Sequence, residues 1–244
     1  MQASMQVVEN AAQVAEAARE LVIGCLEDAL KARRHASLAL SGGSTPKALY
    51  QLFAKHGDAQ RLQPLDIFFG DERAVPPDHL SSNARMAQDV WLAASGLDPA
   101  RIHRMRGEAA DLDAEAARYA NEMTAVLGTP PVLDVVLLGM GDDGHTASMF
   151  PGTPPTREQS RFVLALHDGA PEFKRLTFTP PVLAAARALV VMVAGPSKAD
   201  RLKQVLYAPV NVEALPIQLA VREHPRCFLV CDQDAAIELR NMRA

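Results

Sequence analysis

The stretch that most constrains this chain is residues 132–151, VLDVVLLGMGDDGHTASMFP. Its apolar run Val135, Val136, Leu137, Leu138 is short, β-branched at its start and closed by Gly139. That pattern predicts a strand buried on both faces of a parallel sheet, because a half-exposed strand would alternate apolar with polar residues. Gly139, Gly141 and Gly144 then carry the backbone through a tight turn. The turn delivers His145 just beyond the carboxyl end of the strand, where open α/β sheets place their ligands. His145 is therefore the candidate catalytic residue.

A doubly buried strand needs neighbours, and the chain supplies them. Ser37–Leu40, Leu65–Phe69, Leu189–Val193 and Cys227–Val230 read as further buried strands, and Phe162–Leu166 as another. From Arg175 the run alternates, with Leu176 and Phe178 facing one way and Thr177 and Thr179 the other. Helices fall between them. Val14, Ala18, Leu21, Cys25 and Ala29 mark one from about residue 11 to 33, with Asn10 and Gln13 as its capping box. Others follow Ser81, Ser82 and Asn83, run from Asp111 to about Leu127, follow Ser197 as an N-cap, and start at Asp234. The alternation predicts an α/β fold with a mainly parallel sheet and helices on both faces. A length of 244 residues suits one such domain, 1–244.

Charge and cysteine usage exclude several classes. A formal charge of −4, a pI near 6.0 and no dense Lys/Arg run argue against nucleic acid. No charged segment leads into an apolar one at the start, and no stretch reaches the length of a membrane span, so neither secretion nor membrane insertion is expected. Cys25, Cys227 and Cys231 are an odd number. Cys227 and Cys231 stand four apart on one face of a strand, too far for a relaxed disulfide and without the second pair a zinc site needs. They read as packing residues in a reducing cytoplasm. One histidine among scattered carboxylates makes no metal set, and neither a Walker sequence nor G-x-G-x-x-G is present. No metal, cofactor or obligate protein partner is expected.

Three further stretches put chemistry after a strand. In SGGSTPKALYQLF, Gly42 and Gly43 let a ligand approach the backbone, Thr45 is the expected N-cap and Pro46 the first helical residue. Free N–H groups and the helix dipole make that loop, Ser41, Gly42, Gly43, Ser44 and Thr45, a candidate anion site, with phosphate the natural ligand. After Leu65–Phe69 comes GDERAVPPDHLSSNARM, whose Asp71, Glu72 and Arg73 lie at the same sheet edge, while His79 is assigned to the loop. In AGPSKAD, Lys198 falls in the first turn of a helix, where a cation opposes the dipole unless an anionic ligand is present.

The strings SGGSTP, GDERAVPPDHLSSN, LGMGDDGHTASMFPGTP, RLTFTPPVL, AGPSKAD and CDQDAA, in that order and across nearly the whole chain, resemble the glucosamine-6-phosphate isomerase/6-phosphogluconolactonase family, on its lactonase side. The resemblance implies a Rossmann-like fold shared with the sugar-phosphate isomerases. It implies hydrolysis of 6-phospho-D-glucono-1,5-lactone to 6-phospho-D-gluconate, the second step of the oxidative pentose phosphate pathway, on a small phosphorylated sugar lactone. The histidine of GHTAS is His145, the general base; the SGGST loop with Arg175 and Lys198 holds the phosphate, and Arg73 binds phosphate or stabilises negative charge. Met149 stands where leucine is expected, and Asp142 where the family varies.

Ester hydrolysis needs a base that titrates near neutrality, a placed water and donors for the oxyanion, and an imidazole suits the first need. Once protonated, His145 returns its proton to the departing ring oxygen. Asp71 or Asp143 is expected to orient the imidazole, and of the two Asp71 is the favoured candidate for a catalytic role. Ser148 shares the short turn of His145 and no G-x-S-x-G elbow occurs, so a serine nucleophile is disfavoured. Two other functions compete. A deaminase or isomerase would move a carbon-bound proton, but the deaminase motif continues GHIAFNEP where this chain reads GHTASMFP. A non-catalytic sugar-phosphate sensor would keep the cradle alone, and retention of His145 argues against it.

Overall fold

A computed structural model describes residues 3–240. Its strands are β1 (Ser4–Val8), β2 (Ala36–Leu40), β3 (Leu65–Phe69), β4 (Asp71–Arg73), β5 (Val135–Gly139), β6 (Val163–Leu166), β7 (Arg175–Phe178), β8 (Leu189–Val193) and β9 (Cys227–Asp232). The helices are α1 (Ala11–Arg33), α2 (Ser44–His56), α3 (Asp58–Arg61), α4 (Asn83–Val90), α5 (Leu112–Leu127), α6 (Pro180–Ala185), α7 (Ala199–Tyr207) and α8 (Ile237–Arg240). Six strands form one parallel sheet in the order β1-β9-β8-β5-β2-β3. The expected α/β architecture is borne out.

The apolar runs become central strands because each strand sends alternate side chains to opposite faces, and both faces here are covered. Leu38, Leu40, Val135, Leu137, Val190 and Met192 join a core with Val22, Leu26, Leu49, Phe53 and Trp91 of the α1, α2 and α4 side. Ala39, Val136, Leu138, Leu189 and Val191 join the other, with Tyr119 and Met123 of α5 and Leu202 and Val205 of α7. β1 was not predicted: it is an exposed edge strand and lacks the signature of two-sided burial.

A second, three-stranded antiparallel sheet, β4-β7-β6, was also not expected. Gly70 is where the chain passes from one sheet to the other: its N–H donates to Leu40 O (2.8 Å) and its carbonyl accepts from Phe178 N (2.8 Å). β4 pairs with β7 so that Asp71 stands opposite Thr177 and Arg73 opposite Arg175. Leu176 and Phe178 face the core as the alternation predicts.

The helix ends bring corrections. Thr45 is not the N-cap of α2, which begins at Ser44 with Gly43 as cap, at φ 105°, and with no side-chain capping bond. The left-handed φ of Gly43 turns the chain two residues early, so Pro46 is the third helical residue rather than the first. Ser197 caps nothing, because a short 3₁₀ turn, Pro196–Lys198, precedes α7. Asn10 does cap α1, its Oδ1 accepting from Gln13 N (3.1 Å), while the Gln13 side chain accepts from Glu9 N (2.9 Å) rather than Asn10 N. α8 starts at Ile237 instead of Asp234. Cys25, Cys227 and Cys231 are free and buried, and no helix among the described residues is long and apolar enough to cross a membrane.

Candidate active site

His145 is presented by a turn wound tightly over the end of β5. Gly141 N–H donates to His145 O (2.9 Å), Gly144 N–H to Gly141 O (3.0 Å), and the Thr146 hydroxyl to Gly139 O (2.9 Å). A Cβ on Gly141 would stand 2.1 Å from His145 Nδ1 and 2.7 Å from Asp143 Oδ1, so only glycine leaves room for that pair. Asp143 Oδ1 accepts both the His145 ring Nδ1–H (2.6 Å) and the His145 backbone N–H (3.0 Å). Burial pushes the Asp143 carboxyl up, but these two bonds outweigh it and hold the group down at about 2. An ionised carboxylate only accepts, so the proton of the neutral imidazole sits on Nδ1 and the lone pair on Nε2. No described residue hydrogen-bonds Nε2. Phe150 packs on the other side of the ring, with centroids 4.4 Å apart.

The DER segment behaves as buried framework rather than solvated surface. Asp71 accepts from the Ser148 hydroxyl at Oδ2 (2.6 Å) and from Asn83 Nδ2 at Oδ1 (3.3 Å). The imidazole is thus held by Asp143, and Asp71 is bonded to Ser148 instead. The Ser148 hydroxyl is accordingly turned to Asp71 and not to His145, while its backbone N–H donates to Thr177 Oγ1 (3.0 Å). Glu72 is buried and accepts four bonds, from the N–H groups of Arg73, Asn83 and Ala84 and the Ser82 hydroxyl, at 2.8–3.0 Å. Burial raises its carboxyl above the usual range although those N–H groups oppose the shift. It closes the N-terminus of α4 and fixes the backbone that carries Arg73. Gly42 serves this framework too, since a Cβ there would lie 2.2 Å from Asn83 Oδ1.

Arg73 and Arg175 face each other across the β4–β7 pair. Arg175 is 7% exposed, and its Nη2 donates to Pro171 O (3.1 Å). Its Nε and Nη1 are buried with no partner. Arg73 donates from Nη1 to Ser81 O (2.7 Å), and its Nε is likewise buried and unpaired. Burial and the Arg73 charge both lower the pKa of Arg175. The charges of Asp71, Glu172 and Glu72 oppose that shift, and buried guanidinium N–H groups without partners suit an anionic ligand. Lys198 is held by Asp142, Nζ to Oδ1 at 2.6 Å.

These groups meet in one cleft of about 310 Å³, lined by Ser41, Gly42, Gly43, Asp71, Arg73, His145, Ser148, Phe150, Arg175 and Lys198 among others. Of the residues singled out from sequence, Asp143 and Glu72 support the lining without joining it, and Ser44 and Thr45 stand in the first turn of α2, whose N–H groups no side chain caps. His79 packs edge-on against Phe173, outside the lining. Phe150 and Ala147 escaped sequence reasoning. Ala147 carries a left-handed φ of 48°, which no local residue pattern announces. Among the described residues no group of His, Cys, Asp and Glu is arranged to hold a metal.

Known proteins resemble this chain in sequence and in fold. The model of the family described as glucosamine-6-phosphate isomerases/6-phosphogluconolactonase matches residues 9–229. A 6-phosphogluconolactonase of Synechocystis sp. is 36% identical over 245 residues, covering 98% of this chain and 100% of that protein. One of Nostoc sp. is 38% identical over 216 residues, covering 86% of this chain and 87% of that protein. Among solved structures, 6-phosphogluconolactonase from Trypanosoma cruzi superimposes with a TM-score of 0.86 at 27% identity, covering 98% of this chain and 97% of that one.

Proposed function

The chain belongs to the glucosamine-6-phosphate isomerase/6-phosphogluconolactonase family, and from that premise we propose that it hydrolyses 6-phospho-D-glucono-1,5-lactone to 6-phospho-D-gluconate, with His145 as general base. The observation that carries this reading is the sharing of one cleft by an imidazole with a free Nε2 and two guanidiniums with unpaired N–H groups. The first suits activation of water; the second suits a phosphate dianion.

His145 Nε2 takes a proton from a water whose oxygen bonds to the lactone carbonyl carbon. The carbonyl oxygen becomes an oxyanion, and the bond from that carbon to the ring oxygen then breaks. The imidazolium gives its proton to the ring oxygen, which leaves as the sugar's C5 hydroxyl. Asp143 keeps Nδ1 protonated before the step and stabilises the imidazolium during it. Arg73 and Arg175, with Lys198 and the uncapped start of α2 at Gly43, Ser44 and Thr45, hold the phosphate and so fix the carbonyl relative to the base. Asp71, through Ser148, ties the segment that follows His145 to β4. The protein acts as one domain without a cofactor, in the cytoplasm as part of the oxidative pentose phosphate pathway; three free buried thiols support that placement.

The test follows consumption of freshly generated 6-phosphogluconolactone above its spontaneous hydrolysis, with glucosamine-6-phosphate as control. Turnover of the lactone alone is expected. Deamination of the amino sugar with no lactone turnover would replace this reading with the deaminase one, and silence on both with phosphate binding intact would point to a sensor.

A further inference from the structure

Lys198 lines the cleft and is mostly buried, yet its ammonium is already engaged. Its partner is Asp142, whose side chain is 70% exposed and which sits on the same turn as Asp143 and His145. The Ser197 hydroxyl also donates to Asp142 Oδ1 (3.1 Å), and Arg201 Nε donates to the Asp142 carbonyl (2.9 Å), so the carboxylate is seated rather than loose. The Lys198 ammonium holds the Asp142 carboxyl below the usual range, with burial opposing weakly, so the group is an anion at neutral pH. Arg73 and Arg175 form no comparable ion pair among the described residues and keep idle N–H groups.

We infer that Asp142 is a built-in anion against which the phosphate of the substrate competes for Lys198, so that this carboxylate sets how tightly phosphorylated ligands are held and how readily the product leaves. An ammonium has three N–H donors, but a carboxylate and a phosphate dianion sharing it lie close enough to repel each other. Because the carboxylate of the pair stands largely in solvent, the pair is weak and the dianion wins without a large penalty. The penalty that remains falls on every phosphorylated ligand, including 6-phosphogluconate, whose release ends the cycle. The inference rests on the reading of Lys198 as a phosphate ligand.

The experiment measures the affinity of the whole protein for 6-phosphogluconate and for gluconate by calorimetry, in wild type, Asp142→Asn, Lys198→Ala and the double variant. Asp142→Asn keeps the shape and removes the charge, and its circular dichroism spectrum is expected to match wild type. It is expected to bind 6-phosphogluconate about three- to tenfold more tightly at low salt, with the gain shrinking as salt rises. Gluconate affinity is expected to stay the same, and the gain to vanish in the Lys198→Ala background. Equal or weaker binding by Asp142→Asn, alongside weakened binding by Lys198→Ala, would overturn the competition while leaving Lys198 a phosphate ligand. Unchanged binding by Lys198→Ala would instead remove the reading beneath it, and the inference with it.

Discussion

In the proposed reaction, the fitness of His145 as a base depends on what touches its other nitrogen. Asp143 fixes the tautomer, and Asp143→Asn would leave an amide that can present an N–H to Nδ1 and move the lone pair to the wrong side of the ring. Asp143→Asn is therefore expected to lower kcat about 10²-fold or more with little change in KM, measured by steady-state lactone hydrolysis; an unchanged kcat would separate the two residues. The same bond has an acid limit. A carboxyl held at about 2 in the folded protein, against about 3.9 unfolded, adds stability that is present in full above about pH 5 and is lost as pH falls through 2. The stability difference between wild type and Asp143→Asn is expected to be constant above about pH 5 and to shrink as pH falls through about 2, followed by acid unfolding. For the phosphate, Arg175→Ala is expected to raise KM for the phosphorylated lactone about tenfold or more and leave that for unphosphorylated gluconolactone in place; equal effects on both would remove Arg175 from the phosphate seat.

Between residue and molecule stands the Gly139–Thr146 turn, in which two of the three glycines, Gly141 and Gly144, stand where a Cβ would collide with a neighbour. In Gly141→Ala the new Cβ would meet the imidazole at 2.1 Å, so the ring or the turn must move. A displacement near 1 Å costs about 10²-fold in rate, and Gly141→Ala is expected to show that loss in kcat with native circular dichroism. This element was legible in sequence because a strand covered on both faces writes an unbroken apolar run, and a run that stops at glycine marks where the chain leaves the sheet. β4 was not legible, since three polar residues that pair with β7 carry no periodicity of their own. For the same reason the burial of Glu72 was hidden: its partners are the N–H groups of a helix start eleven and twelve residues on. The choice between Asp71 and Asp143 was likewise a matter of the third dimension. Position after a strand favoured Asp71, whereas a two-residue turn brings Asp143 to the ring and leaves Asp71 to Ser148. Gly42 was legible as a glycine with a purpose, but it makes room for Asn83.

At the scale of the whole molecule, the strand order explains why these residues meet. From β2 the chain first goes outward to β3, then returns on the other side through β5, β8 and β9, so direction reverses between β2 and β5. Open parallel sheets bind their ligands at such a reversal, at the carboxyl ends of the strands. There β2 delivers Ser41–Gly43, β5 delivers His145 and β8 leads to Lys198, while the small antiparallel sheet adds Asp71, Arg73 and Arg175. The sheet beneath is the rigid part: Leu137→Ala, at a fully buried site, is expected to cost about 2–5 kcal/mol in denaturant unfolding without changing KM for the lactone. The most direct test of the account compares His145→Ala with wild type for both lactone turnover and 6-phosphogluconate affinity. The predicted result is a fall in kcat of about 10²–10⁴-fold with affinity retained, whereas enzymatic turnover equal to wild type would contradict it.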